Sequence, residues 1–279
     1  MSSDRASFQR AVLGYYGKNG RDTLPWRSPS LKFRRTNEKL NPYQILVSEV
    51  MLQQTTVERV IPFYKKFLKR FPTVQSLASS PLAAVLLKWQ GLGYNRRAKM
   101  LHDAAKITMI NHSGRLPTSY EELIALPGVG EYTAKAVRVF AYNEPEIMIE
   151  TNIRAAFIHH FFSRAGRKIT DKEIVPYMVQ TLTTKNPRMW YAALMDYGAY
   201  LKKTVPNPSR KSAHHQKQKP FRGSDREIRG AIIRSAADGP LTLTKLKKLS
   251  FPKGRIEKQL AALAREGLLV KRRSAYYVP

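Results

Sequence analysis

The sequence predicts a mostly α-helical protein that ends in a small module of three helices and a basic hairpin. Three observations carry that expectation. Apolar residues recur at helical spacing from Ala6 to Leu201 with no long β alternation between them. Prolines and glycines stand where helices start and stop. The 279-residue chain has no cysteine, yet 43% of its residues are hydrophobic, so a core is to be built by side-chain burial alone.

In order along the chain, Pro62 is read as falling early in one helical segment, and Pro72-Thr73 and Ser80-Pro81 as opening short helices. Gly114, Gly128 and Gly130 mark turns. From Lys202 to Gly223 the character changes: Pro206, Pro208, Arg210, Lys211, His214, His215, Lys217 and Lys219 mix breakers with positive charge and no acid, which predicts a basic linker or a ligand-hugging loop. Helices are then expected over Asp225 to Ala237, Thr242 to Leu249 and Lys253 to Glu266, the last stopped by Gly267. The apolar runs Leu268-Leu269-Val270 and Ala275-Tyr276-Tyr277-Val278 flank Lys271, Arg272, Arg273 and Ser274, and complete the pattern of a small winged helix. The expected organisation is therefore a helical body over 1–201, a basic linker over 202–223 and a winged-helix-like module over 224–279.

A formal charge of +29, from 49 basic and 20 acidic residues, exceeds what solubility requires. It points to a polyanion partner whose counterions are released on binding, with nucleic acid as the default. No stretch approaches a membrane span, and Met1 to Arg5 is not followed by an apolar run, so a monomer in the cytoplasm, associated with the nucleoid, is expected.

Leu126, Pro127, Gly128, Val129 and Gly130 precede an apolar helical pattern at Thr133, Ala134, Ala136, Val137 and Val139. This looks like the hairpin of a helix-hairpin-helix, in which two glycines admit a close backbone approach and the N–H groups of the next helix receive a phosphate. Such a hairpin grips DNA without reading its sequence.

Ahead of that hairpin stand Leu24-Pro25-Trp26-Arg27, Ser48-Glu49-Val50-Met51-Leu52-Gln53-Gln54-Thr55 and Gly91-Leu92-Gly93-Tyr94, and behind it Glu150-Thr151-Asn152. In this order the strings resemble the catalytic domain of MutY adenine DNA glycosylases from about Leu24 to Leu201. The resemblance implies a helix-hairpin-helix glycosylase fold, duplex DNA with mismatched or oxidised base pairs as partner, and removal of adenine opposite 8-oxoguanine or guanine without strand cleavage. Relatives usually carry an iron–sulfur cluster on four cysteine thiolates. With no cysteine, no cluster and no other cofactor are expected here. Neither the cluster loop nor the family's Nudix-like 8-oxoguanine reader is recognisable beyond Leu201.

By the same resemblance, Glu49 is the general acid that protonates adenine, its neighbours Val47, Val50, Met51 and Leu52 offering an apolar setting. Glu150, beside Asn152, stands where the family usually has an aspartate that stabilises the oxocarbenium-like sugar. As a plain first-turn charge it would instead only complement a helix dipole. Tyr132 stands where bifunctional relatives place a Schiff-base lysine, which a phenol cannot replace; Lys135 is a minor lyase alternative. Gln53, Gln54, Thr55 and Tyr94 are expected to fill the gap left by a flipped base. Trp26, Arg27 and Asp196 line the adenine pocket, Arg27 and Asp196 reaching its nitrogens. Leu126, Gly128, Val129 and Gly130 hold phosphates. Outside the resemblance, the winged-helix-like module reads either as a second DNA contact through its third helix or Lys271, Arg272 and Arg273, or as a protein-docking module. His159 and His160 read as core residues and His214 and His215 as DNA-facing charge, not as metal ligands. Two rivals remain: thymine excision from T:G mismatches, and a mismatch-binding protein without chemistry.

Overall fold

The computed structural model describes residues 2–27, 39–217 and 220–279. The chain divides into two compact units that do not follow the sequence order expected above. One comprises Met1–Leu46, Thr118–Ile124 and Val129–Lys217, and the other Val47–Pro117, Ala125–Gly128 and Gln218–Pro279. The reason is packing. The N-terminal helix joins the helices that follow the hairpin, and the C-terminal module buries a helix against a mid-chain one instead of standing apart.

The first unit is built on α1 (Ser2–Asn19), with the start of α2 (Pro42–Leu52), α7 (Tyr120–Ile124), α8 (Glu131–Val137), α9 (Thr151–Phe161), α10 (Asp171–Thr181) and α11 (Pro187–Thr204). A π turn over Arg138–Tyr142 continues α8. α1 and α9 both pack on α11. Their seam holds Phe8 against Phe157, ring centroids 4.8 Å apart, and edge-on to Trp190 at 6.0 Å. Asn186 caps α11 by accepting from the Met189 N–H at 3.1 Å, with Pro187 in the first turn, where a missing donor costs nothing.

The expected linker is largely folded. Lys202 to Thr204 end α11, and Pro208–Lys211 form a 3-10 turn packed on α9. The Ile169 N–H donates to the Lys211 carbonyl and the Ala213 N–H to the Ile169 carbonyl, both at 2.8 Å. Lys211 Nζ also donates to the Ser163 and Ala165 carbonyls. The Lys211 charge thus closes two carbonyls and serves the fold; residues 218–219 lie outside the described residues.

The second unit contains the end of α2, then α3 (Val57–Arg70), α4 (Val74–Ala78), α5 (Leu82–Trp89) and α6 (Arg96–Asn111). Pro62 lies inside α3, not at its start; the buried face of Val60, Tyr64 and Phe67 carries the helix past the missing donor. Thr73 opens α4 with a reciprocal capping box to Ser76, and Pro81 precedes α5, as the sequence predicts. The C-terminal stretch supplies α12 (Asp225–Ala237), α13 (Leu243–Lys247) and α14 (Lys253–Arg265). It ends in the antiparallel pair β1 (Val270–Arg272) and β2 (Ala275–Tyr277). α13 is shorter than expected because Thr242 is its cap, accepting from the Lys245 N–H. β1 starts late because Leu268 and Leu269 are spent in the core, so Lys271 and Arg272 stand in the strand and not in the turn. α12 packs against both α5 and α14.

Candidate active site

Glu150 is the N-cap of α9. Its backbone is extended, and its Oε1 accepts from the N–H groups of Asn152 at 2.8 Å and Ile153 at 2.9 Å. Asn152 completes a small network: its Nδ2 donates to Glu150 Oε2 at 3.1 Å, and its Oδ1 accepts from Lys202 Nζ at 3.0 Å. Burial pushes the Glu150 carboxyl above its ordinary range. The backbone donors of Asn152 and Ile153, then Lys202 and Arg154, oppose that push without cancelling it. This acid is thus both a helix cap and a poorly solvated carboxyl. Lys202 and Arg154 were not among the expected site residues. Lys202 sits at the C-terminal end of α11, in a region where composition suggested a basic linker or a DNA-contacting loop.

Arg27 and Asp196 come together in the same unit, but they face each other. Asp196 accepts from the backbone N–H and Nε of Arg21, each at 2.8 Å, and from Nη1 and Nη2 of Arg27 at 2.8 and 3.1 Å. A carboxylate has about four lone-pair positions, and these donors, with Arg21 Nη2 also 2.7 Å from Oδ1, fill them. Desolvation raises the Asp196 carboxyl, but the Arg27 and Arg21 guanidiniums outweigh it and hold the group below the usual carboxylate range. Asp196 thus meets Arg21 and Arg27 in this structure, where the sequence placed it toward a base nitrogen. The residue anchors the turn in which the Arg27 N–H donates to the Leu24 carbonyl, and the buried Trp26 belongs to that turn.

The hairpin forms as expected between α7 and α8. Gly128 has φ +76°, and a Cβ there would lie 2.7 Å from Met100 Cβ, so this position admits only glycine. Gly130 is the N-cap of α8, while Leu126 and Val129 are buried. Tyr132 lies half-buried in the first turn of α8. Lys135 Nζ pairs with Glu131 at 2.6 Å and lies 5.8 Å from the Tyr120 ring centroid.

In the second unit, Glu49 is 7% exposed, on a helix whose Val47, Val50 and Met51 are buried. Gln53 to Thr55 follow directly. Gln54, at φ 56°, and Tyr94, at φ 52°, are held in the left-handed region that bulky residues avoid. Such positions cost on the order of 1–3 kcal/mol each and persist only where surroundings over-determine them. Arg97 supplies that determination. Its Nη1 donates to the carbonyls of Val50 at 2.8 Å, Met51 at 3.0 Å and Gln53, and its Nη2 to Thr55 Oγ1 and the Gly93 carbonyl, both at 3.2 Å. One guanidinium thus ties both loops to the end of α2, and burial lowers Arg97 to about 10. The sequence held a signal for it. Arg97 falls on the buried stripe of α6 with Leu101, Ala104, Ala105 and Thr108, and a cation at a core position needs acceptors.

Tyr94 has two cations near its ring. Arg97 lies 5.2 Å and Arg226 of α12 5.4 Å from its ring centroid, and Arg226 Nη1 donates to the Tyr94 hydroxyl at 2.8 Å. Lys271 and Arg272 are exposed on β1, with Arg273 in the turn at φ 52°. His160 packs with Phe8 and hydrogen-bonds the Tyr197 hydroxyl at 2.8 Å, and burial drops it to about 4. His214 lies 3.6 Å from Asp171. Among the described residues no group of histidines and acids is placed to hold a metal.

Residues 47–177 match the family described as HhH-GPD superfamily base excision DNA repair protein. The chain is 37% identical over 194 residues to the adenine DNA glycosylase of Buchnera aphidicola subsp. Baizongia pistaciae, which covers 70% of this chain and 52% of that protein. It is 33% identical over 259 residues to the adenine DNA glycosylase of Mycobacterium tuberculosis (strain ATCC 25618 / H37Rv), covering 84% of this chain and 81% of that one. It therefore spans about half the length of the first and four-fifths of the second. Among solved structures it is similar to a thermostable thymine-DNA glycosylase, with a TM-score of 0.61 and 24% identity over 71% of this chain and 87% of that one. It is also similar to endonuclease III in a trapped covalent DNA intermediate, with a TM-score of 0.55 and 17% identity over 79% and 91%. At such identities these two likenesses establish the helical fold and nothing finer.

Proposed function

Because the chain belongs to the HhH-GPD superfamily of base excision DNA repair proteins, and within it to the adenine DNA glycosylases, we propose that it removes adenine mispaired with 8-oxoguanine or guanine in duplex DNA. The proposed chemistry is acid-assisted hydrolysis. Glu49 gives its proton to adenine, the bond from the sugar to the base breaks with its electron pair leaving on the base, and the Glu150 carboxylate stabilises the cationic sugar until water adds and sheds a proton that returns to the Glu49 carboxylate. The observation that supports this most is the burial of Glu49 four residues before the strained Gln53-Gln54-Thr55 turn. Tyr132, in place of a Schiff-base lysine, supports hydrolysis without strand cleavage. Gln54 and Tyr94 are proposed to fill the vacated stack, with the hairpin and Lys271, Arg272 and Arg273 holding phosphates. We place the protein on DNA as a monomer in the nucleoid; no described helix is long and apolar enough to cross a membrane.

The test is a panel of single-mismatch duplexes treated with alkali after incubation. Cleavage of the adenine strand opposite 8-oxoguanine or guanine is expected. A gel shift without cleavage would establish the binding-protein rival, and cleavage at thymine opposite guanine the other.

The family's cluster does not fit this chain, whose 279 residues supply no thiolate. The purified protein is expected to be colourless, with iron far below one cluster per chain by elemental analysis. Iron at stoichiometric level would contradict this.

Glu150 gives a second prediction. Aspartate is a better helix cap than glutamate, so in Glu150→Asp the shorter carboxylate stays on the Asn152 and Ile153 N–H groups and withdraws from the substrate side. The melting temperature is expected to hold while single-turnover excision falls by about a hundredfold, the scale of a 1 Å misplacement. A faster Glu150→Asp enzyme would mark the native glutamate as a compromised catalyst.

The raised carboxyl also sets a pH dependence. Its neutral form is favoured by the fold, so its contribution to stability is present at low pH and is lost as pH rises through the raised value. Excision needs the ionised form, so the acidic limb of the rate profile should lie above the ordinary carboxylate range and vanish in Glu150→Gln.

A further inference from the structure

The contact between α12 and Tyr94 has no counterpart in the chemistry proposed above. Arg226, in the first turn of α12, reaches from the C-terminal module to the Gly91-Leu92-Gly93-Tyr94 loop and donates from Nη1 to the Tyr94 hydroxyl at 2.8 Å. Its guanidinium carbon lies 5.4 Å from the Tyr94 ring centroid and 6.0 Å from that of Phe221. Tyr94 is therefore held by two cations, Arg97 from its own segment and Arg226 from a module more than a hundred residues away in sequence. The same residues line a cleft of about 420 Å³ that also takes in Gln53, Gln54 and Arg229. Arg229 pairs with Glu266 at 2.6 Å, which fixes that wall.

Three features make this more than a tether. Tyr94 is strained at φ 52°, so its ring position depends on whatever holds it. A guanidinium is planar and rigid, so one hydrogen bond together with ring contact sets orientation as well as distance. The cleft joins an amide pair, which offers both donor and acceptor to a base edge, to an aromatic ring on which a purine stacks more widely than a pyrimidine.

We propose that Arg226 is a positioning residue for opposite-base specificity: through Tyr94 it couples the C-terminal module to the loop that meets the base facing the excised adenine. This rests on the function proposed above and assigns the C-terminal module a part in it. The partner it selects is a guanine-class purine in preference to a pyrimidine.

The test measures single-turnover adenine excision opposite 8-oxoguanine, guanine and cytosine for the wild type, Arg226→Met, Arg226→Lys, Tyr94→Phe and the double variant Arg226→Met/Tyr94→Phe. Dissociation constants on the same duplexes accompany the rates. Arg226→Met is expected to lower the preference for the guanine-class duplexes over cytosine by about tenfold, the scale of one lost directional contact. Tyr94→Phe should do nearly the same, and the double variant should lose no more than either single one, because both remove one interaction. Arg226→Lys retains charge and stem, so it folds even if the methionine variant does not, and it too should lose selectivity. A rate loss equal on all three duplexes, an unchanged preference in both Arg226 variants, or additive losses in the double variant would overturn the proposal and leave Arg226 as a structural tether. A wild type that excises adenine from none of the duplexes would refute the functional reading instead. The ratio of dissociation constants would then judge Arg226 alone.

Discussion

Glu49→Gln should bind mismatched duplex nearly as tightly as the wild type and lose adenine excision by about a hundredfold or more, the scale of general acid catalysis. The substitution preserves shape and hydrogen-bonding capacity and removes only the transferable proton. Glu49 is 7% exposed, and the carbonyls of Val50 and Met51 just after it are pinned by Arg97. The side chain therefore issues from fixed backbone, and its replacement leaves the neighbouring Gln53-Gln54-Thr55 turn in place. Single-turnover rates together with a gel shift separate the two effects. Excision at near wild-type rate in Glu49→Gln would take the acid role from this residue. A parallel loss of binding would mean that it holds the loop and does not act on the base.

What the sequence made legible follows from how local each signal is. The hairpin, the caps at Thr73 and Pro81 and the stop at Gly267 depend on a few adjacent residues, and each appears where the sequence puts it. Glu150 was visible as a carboxylate at a helix start, and its cap geometry is the local consequence. The rest depends on partners far away in the chain. Asp196 reads by resemblance as a pocket acid, and Arg21 and Arg27, some 170 residues earlier, hold it in the structure. Lys211 reads as DNA-hugging charge, and it closes the carbonyls of Ser163 and Ala165. Arg226 reads as one of many cations on a basic helix until α12 is laid beside Tyr94. Net charge could not sort these, because a cation spent on carbonyls and one offered to phosphate count alike in composition.

Gly198→Ala tests how the fold places Glu150, and it is expected to cost both stability and activity. Gly198 lies in α11 where α9 crosses it. A Cβ built there would stand 2.0 Å from the Asn152 carbonyl oxygen, 2.6 Å from its carbonyl carbon and 3.0 Å from its Cα. All three atoms are backbone, so no flexible side chain can move aside. The two helices must part by roughly 1 Å or more to restore van der Waals separation. That is an overpacking cost of about 1–3 kcal/mol, read as a fall in melting temperature. The displaced residue also donates its N–H to Glu150 and accepts from Lys202, so the same shift moves the carboxylate. A further loss of about a hundredfold in single-turnover excision is expected. Gly14→Ala on the exposed face of α1, where an added Cβ meets nothing within 4 Å, is the control. It should leave activity intact and raise stability by about 0.5–1 kcal/mol through helix propensity. If Gly198→Ala melts and excises like the wild type, the close crossing of α9 and α11 is not what positions Glu150. If it is destabilised but excises normally while folded, the crossing serves the fold alone.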